Sequence, residues 1–416
     1  MNKDIVVSYK KLILVILLFT SVDTILFGTN GNIIFNLIPR IMSLLGIIIL
    51  IPKKHLIIDE AFYICVVMTC IVAISNLISG TEFGTTISRI LFILLAFVIS
   101  SSFSINKFFK VYDSFIYIVS LVAVILHLVT LLTPSIVLHM PSVSNMANSR
   151  FYTCILGSIS SESVARIYLP RASGIFWEAG AFSVYLVVAI FYQLFIAEQV
   201  NGKRLLVFFV TLLLTFSTTG FISVGTLLFT FTFTKAKKGK LNLILRGVSV
   251  TLISLIIGLL VFGENTVLYQ TLFGKIINGE STALTRYASF IVPFRIVKDF
   301  PLFGVSAGKI SDYMKLYALK NGTFGIFQSS TMCTNTVAYQ FGTYGIIMGV
   351  LFVWGTWKFA YKFAQKKIII AIGLFFTLFF AYCGENFFSF FSYVFVFYGY
   401  KKRIDNSFVD INSEKL

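Results

Sequence analysis

The sequence predicts an all-α polytopic membrane protein, and three observations carry that prediction. Of the 416 residues, 57% are hydrophobic and only 12% are charged, where an ordinary soluble domain is about 25% charged. Apolar runs of membrane-helix length recur along the chain. Lys and Arg collect in alternate connections between those runs. A soluble globule, a disordered chain and a coiled coil are excluded. Twelve helices of roughly 20 residues use about 240 positions, which leaves too little for a large soluble domain. A single integral membrane domain over 1–416 is expected.

Candidate spans run at 10–28, 33–51, 60–79, 88–105, 111–133, 175–197, 205–217, 220–234, 241–262, 333–357, 368–382 and 386–400. The seventh, eighth, eleventh and twelfth are short, as broken or re-entrant helices are. With a cytoplasmic N-terminus, the inside segments hold Lys3, Lys10 and Lys11, Lys53 and Lys54, Lys107 and Lys110, Lys203 and Arg204, Lys235 to Lys240, Lys358 to Lys367, and Lys401 to Arg403. The short outside turns at 29–32, 80–87, 218–219 and 383–385 hold no Lys or Arg. That is the positive-inside pattern, and it places both termini in the cytoplasm. The net charge of +17 follows largely from this topology, so nucleic acid is not needed as a partner.

Two outside segments are long, 134–174 and 263–332. Long translocated loops escape the positive-inside rule, and long ordered loops carry function. Apolar periodicity at 284–297 predicts a short amphipathic helix against the membrane.

The first long loop ends in RIYLPRASGIFWEAGAF at 166–182. A helix starting near Ile175 puts Glu178 in its first turn, where a negative charge is favoured. Arg171 then sits just above, and the pair frames a polar site open to the outside. The alternative is an Arg–Glu pair that only anchors the helix. Arg150, Arg166 and Trp177 accompany it. The second loop contains TRYASFIVPFRIVKDFPLFGVSAGK at 285–309. Arg286 and Arg295 flank the helix-bending Pro293 and suit phosphate oxygens through their forked donors. Tyr287 and Lys298 lie beside them. The turn-rich stretch at Pro301, Gly304 and Gly308 is suited to offering backbone N–H groups to an anion. Headgroup anchoring is the alternative for these cations. In TMCTNTVAYQFGTYGIIMG at 331–349, Asn335 caps a helix and Tyr339 follows one turn later. Gly342, Gly345 and Gly349 serve close helix packing.

Weaker candidates are Arg40 with Asn36, Arg89 with Glu82, and Glu385 with Asn386. The five Cys are scattered without a CxxC, so neither a disulfide framework nor a zinc site is indicated; a Cys154–Cys333 bridge between the two loops stays open. No HExxH, paired acidic motif or phosphate-binding P-loop occurs. No metal or other cofactor is expected.

These segments resemble one family. RASGIFWEAG is similar to the R-x-x-G-x-F-x-E-P-G signature of the Wzy-type O-antigen and capsular polysaccharide polymerases, with Ala179 in the place of the usual Pro. The R-Y…P-F-R-I…D-F-P-L-F-G-V-S-A-G run resembles the large outside loop of that superfamily, and TNTVAYQFGTYGI its post-loop helix. The sibling O-antigen ligases carry a His near the end of the large loop; 263–332 contains none. The resemblance implies a GT-C-like, metal-independent membrane glycosyltransferase of the bacterial cytoplasmic (inner) membrane. It would join undecaprenyl-pyrophosphate-linked repeat units at the outer face. Cations at the departing pyrophosphate would stabilise the transition state. Arg286 and Arg295 are expected there with Arg171, while Glu178 orients or deprotonates the acceptor hydroxyl. Arg150, Arg166, Trp177, Tyr287, Lys298, Asn335 and Tyr339 are expected to contact substrate. The implied partners are undecaprenyl-pyrophosphate-linked glycans, membrane lipids and a chain-length regulator protein. The rival expectations are a lipid-linked oligosaccharide flippase, an O-antigen ligase, or a rod-shape or division protein using Asp299 or Asp312 as base.

Overall fold

The structure is a computed structural model that describes residues 3–28, 33–51, 58–144, 149–165, 170–232, 247, 281–320, 333–364, 367–387 and 389–401. Five helices come first: α1 (Lys3–Phe19), α2 (Ile33–Leu50), α3 (Glu60–Ile78), α4 (Phe83–Ser102) and α5 (Ile105–Leu132). A short α6 (Pro134–Leu138) leads into three strands, β1 (Ser142–Ser144), β2 (Arg150–Cys154) and β3 (Gly157–Ser160), and then α7 (Ser161–Val164). Next come α8 (Ala179–Phe191), which continues as a π-helical turn over Tyr192–Ile196, α9 (Gly202–Thr215) and α10 (Thr218–Thr232). The remaining described helices are α11 (Ser281–Asp299), α12 (Ile310–Lys320), α13 (Thr336–Phe363), α14 (Ile368–Gly384) and α15 (Phe390–Tyr400).

Among the described residues, five helices are long and apolar enough to cross a membrane: α3, α4, α5, α8 with its π turn, and α13. Four more, α2, α10, α14 and α15, are apolar but only 10–17 residues long over their apolar stretches. This corrects the expected all-α, twelve-span, GT-C-like scaffold. It also removes the frame for a multi-pass glycosyltransferase, whether polymerase or ligase, and for the flippase. Hydropathy counts apolar residues, but helix length is set by where the backbone breaks. The run at 10–28 stops being helical after Phe19, and Thr24 N–H and Gly28 N–H bond back to Ser21 O (3.1 Å) and Thr24 O (2.9 Å) as turns. Most of the run at 241–262 lies outside the described residues. The first long loop is not irregular either: it holds the antiparallel sheet β1-β2-β3, whose Tyr152 and Ile159 pack on Leu126 and Val137. The long apolar helices are consistent with membrane association.

α8 lies at the centre, with every residue buried. It packs on α5, α9, α10 and α14, while α13 packs on α11, α14 and α15, and α15 on α4. Aromatic rings fill the space beside α8. Tyr185 and Phe391 stack at 4.1 Å and Tyr112 on Phe391 at 5.5 Å; such pairs add about 0.5–1.5 kcal/mol beyond area burial. The Tyr112 hydroxyl donates to Tyr185 O at 2.7 Å. At the far end of α8, Gln193 in the π turn donates to Asp113 Oδ1 at 2.7 Å, and Asp113 also pairs with Arg204.

α13 is broken at Gly345, where φ is 86° and ψ −179°. The break frees carbonyls that an apolar interior must satisfy by other means. The turn after α11 supplies the donors. Val305 N–H reaches Gly342 O at 3.2 Å and Ser306 N–H reaches Thr343 O at 2.9 Å, while Ile346 N–H donates back to Pro301 O at 2.8 Å. Ser75 adds its hydroxyl to Thr343 O at 3.2 Å. Gly342 fulfils the packing expectation, since a Cβ there would lie 2.8 Å from that of Pro293. Gly345 does something else, being the hinge of the break. Two further N–H groups of the 301–308 stretch have partners within the protein, Gly304 on Phe300 O at 3.1 Å and Ala307 on Asn76 Oδ1 at 3.3 Å, so these four do not face an anion.

A Cβ on Gly345 would meet Leu302 O at 2.3 Å in a backbone conformation that L residues avoid. Gly345→Ala is therefore expected to destabilise the detergent-solubilised protein by about 2–3 kcal/mol. Gly225→Ala, in open space inside α10, is expected to stabilise it by about 0.5–1 kcal/mol. Paired thermal melts check both; a Gly345→Ala protein melting at or above wild type refutes the break.

Candidate functional site

The segment 170–178 is non-helical, turns at 174–175, and is held from two sides. Ile25 N–H donates to Ile175 O at 2.9 Å, and Thr24 bridges Phe176. From the sheet, the Ser158 hydroxyl donates to Gly174 O at 2.8 Å. Gly174 takes φ 57°, which fixes the bend before the aromatic pair. α8 then starts at Ala179, a few residues later than the sequence suggested. Glu178 is its N-cap in extended backbone, and its side chain makes no capping hydrogen bond.

Four charged side chains from three parts of the chain meet at this helix start. Glu385, buried in the turn after α14, has its Oε1 3.6 Å from Arg286 Nη2 on α11. The same carboxylate lies over Gly180, where a Cβ would come within 2.2 Å of Oε1. The lack of a side chain at Gly180 thus makes room for a carboxylate beside the first turn of α8, where N–H groups point outward. Arg171 is half-buried and donates Nε–H to Thr215 O at 2.9 Å and Nη2–H to Phe216 O at 3.5 Å. It closes the C-terminus of α9, where Phe216 turns left-handed at φ 46°. Burial pulls the Arg171 guanidinium down from its ordinary value; Glu178 and Glu385 oppose that and Arg286 adds to it. Burial pushes the Glu385 carboxyl well up, Glu178 reinforces the rise, and Arg286 and Arg171 counter it.

The loop before α13 frames the other side. Asn335 is buried and caps α13 by accepting from Ala338 N–H at 2.9 Å. Thr336 holds Glu385 O with its N–H at 3.2 Å and its hydroxyl at 2.6 Å. Asn386 donates Nδ2–H to Cys333 O at 2.8 Å. Trp177 packs on Phe387 with ring centroids 5.7 Å apart.

The structure brings Arg171, Glu178, Arg286, Trp177 and Asn335 into one region and separates the rest. Arg295 is exposed: nine residues are two and a half helical turns, so it projects from the side of α11 opposite Arg286. Lys298 and Tyr287 are exposed on α11, with Phe290 and Phe294. Arg150 is exposed on β2, 5.3 Å over the Tyr152 ring. Tyr339 is buried beneath Arg89, 6.0 Å from its ring centroid. Arg166 lies outside the described residues. Cys154 and Cys333 are both free, so the open bridge is not formed. Among the described residues no group of His, Cys, Asp or Glu is arranged to hold a metal ion.

Sequence reasoning missed Asp23. It is 1% exposed, and its Oδ2 accepts from the Tyr185 hydroxyl at 2.7 Å and from the Ser389 hydroxyl. Its Oδ1 is buried without a hydrogen-bond partner. A lone acid inside an apolar run was the available signal. Burial pushes this carboxyl up to about 6, against the hydrogen bonds from Ser389 and Tyr185 and the charge of Arg89. A carboxyl raised above its unfolded value stabilises the fold fully below the unfolded value, and that contribution is lost as pH rises through the folded one. Wild type is therefore expected to lose stability between about pH 4 and 6, by about 3 kcal/mol from this group. Asp23→Asn is expected to lack that loss, as chemical or thermal unfolding at pH 4, 5, 6 and 7 will show; parallel pH curves for the two proteins refute it. Comparison with known proteins returns no matching family model and no similar curated sequence.

Proposed function

We propose that this chain is a membrane-associated binding protein for a phosphate-bearing, lipid-linked glycan of the undecaprenyl-pyrophosphate class. The ligand's phosphate is seated by Arg286, Arg171 and the start of α8. The observation that carries this is the meeting of two guanidiniums from separate elements at one helix N-terminus. A helix start favours anions through its N–H groups and dipole. Guanidiniums add forked donors that match phosphate oxygens. Arg171 is already fixed by two carbonyls, so ordering it costs little on binding. Trp177, packed on Phe387 beside the site, suits a sugar face, and the apolar helix surfaces suit a prenyl chain. The ligand class rests on the resemblance of 171–180 and 286–308 to the Wzy-type sequences. The role is binding; no bond-making step is assigned. Lys and Arg crowding the opposite connections supports placing this site on the outer side of a bacterial cytoplasmic membrane, with the termini inside.

The test is binding of undecaprenyl pyrophosphate to the full chain in lipid nanodiscs, with undecaprenol as control. Arg286→Ala is expected to weaken binding about tenfold or more, the worth of one charge-assisted hydrogen bond. Arg295→Ala is expected to bind like wild type, since Arg295 projects away from the site. Equal affinity for pyrophosphate and alcohol, or an Arg295→Ala loss matching that of Arg286→Ala, overturns the assignment.

A further inference from the structure

Resting on that function, we propose that Glu385 is a tethered stand-in for the ligand's phosphate. Its carboxylate holds the seat on Arg286 and the α8 N-terminus, and an entering phosphate takes that seat as Glu385 takes up one proton from solvent.

Three observations carry this. The carboxylate sits where a phosphate is expected, against the Cβ-free Gly180 and 3.6 Å from Arg286. That distance is longer than a charge-assisted hydrogen bond of about 2.8 Å, so the hold is a loose one that a better-matched anion can replace. The Glu385 backbone is fixed by both donors of Thr336, so only its side chain needs to move. On the next residue, Asn386 Oδ1 is buried without a hydrogen-bond partner while its Nδ2–H is held by Cys333 O.

Charge explains why the exchange requires a proton. The groups facing Glu385 are Glu178 from the cap of α8, Arg171 from the segment before it, and Arg286 from α11. α10 presents the uncharged Thr219, which packs on Gly384. The thiols of Cys383 on α14 and Cys333 before α13 are pushed up by burial to about 11 and about 12 and stay neutral. Two guanidiniums and two carboxylates sum to zero, so an arriving phosphate meets no net attraction. With Glu385 neutral the cluster is +1 and Arg286 is released. Arg171 stays in place through its bonds to Thr215 O and Phe216 O. The bookkeeping is one proton gained by Glu385 for one phosphate bound.

The experiment measures undecaprenyl pyrophosphate binding to the full chain in nanodiscs from pH 5.5 to 8.5, for wild type and Glu385→Gln. Wild-type affinity is expected to fall relative to the variant by up to about tenfold per pH unit at the alkaline end, the slope of one linked proton. Glu385→Gln cancels the ligand's own titration, because both proteins bind the same ligand. Calorimetry of wild type at pH 8.5, above the second phosphate ionisation near 6, in two buffers of different ionisation heat is expected to show net proton uptake. That second measurement decides the matter if the variant does not fold. Parallel affinity curves, or zero uptake at pH 8.5, overturn the stand-in while binding itself stands. No binding by wild type at any pH overturns both.

Discussion

A broken helix in an apolar interior leaves carbonyls that water cannot reach, and the rest of the site depends on how this chain satisfies them. The break at Gly345 exposes the carbonyls of Gly342 and Thr343, and the turn after α11 brings its own N–H groups to them. Each unsatisfied group would cost about 1–3 kcal/mol, so the docking is specific in register. It fixes the roll of α11. Ala288, Ser289, Val292, Pro293, Ile296 and Val297 face inward, and Arg286, one turn before Ser289, is turned toward Glu385. A different roll would have brought Arg295 inward in its place. The charge cluster is therefore positioned by a backbone pairing some 20 residues downstream of Arg286, not by the charges themselves.

The second half of the site depends on a pinned, non-helical segment instead of a helix. Segment 170–178 is pinned by the N-terminal turn at 24–25, by Ser158 of the sheet and, through Ala172 N–H to Leu214 O at 2.9 Å, by α9. Arg171 then serves two masters. Its Nε and Nη2 donors terminate α9, and the charge that remains unscreened faces the carboxylates at the start of α8. Replacing it would loosen a helix end as well as the site, which is why Arg286 is the cleaner probe of binding.

The sequence made local features legible where one residue dictates one contact. The cap at Asn335 follows from its side-chain chemistry, and the pairing of helix start and acid at Glu178 lies within a few residues of the structure. Side-chain direction on α11 was less legible, because Pro293 and the docked turn set the roll from outside the helix. The sheet at 142–160 left little signal: its strands are three to five residues long, and only Tyr152, Ile159 and their neighbours are apolar and buried. Hydropathy overstated the spans for a related reason. Thr20, Ser21, Asp23 and Thr24 are buried in a run that scores as apolar, yet their hydrogen bonds turn the chain out of helix. Glu385 was legible as an acid between two apolar runs; its meeting with Gly180 was not, since that is a contact between residues about 200 positions apart.

The partners of Asp23 carry a consequence for biogenesis. Its Ser389 contact joins residues 366 apart, the Glu60–Lys358 contact joins residues 298 apart, and Ser75 reaches Thr343 across 268. The first third of the chain is closed by the last third. At about 5–20 residues per second, translation takes roughly 20–70 seconds to cover the interval from Asp23 to Ser389. Throughout that time the carboxyl lacks its Ser389 donor, and until residue 185 its Tyr185 donor as well, while the apolar surfaces of α3 and α4 wait for α13 and α15. A nascent chain stalled before α15 therefore exposes both an incompletely partnered acid and an open apolar face, and exposed apolar surface is what makes an unfinished chain prone to aggregate.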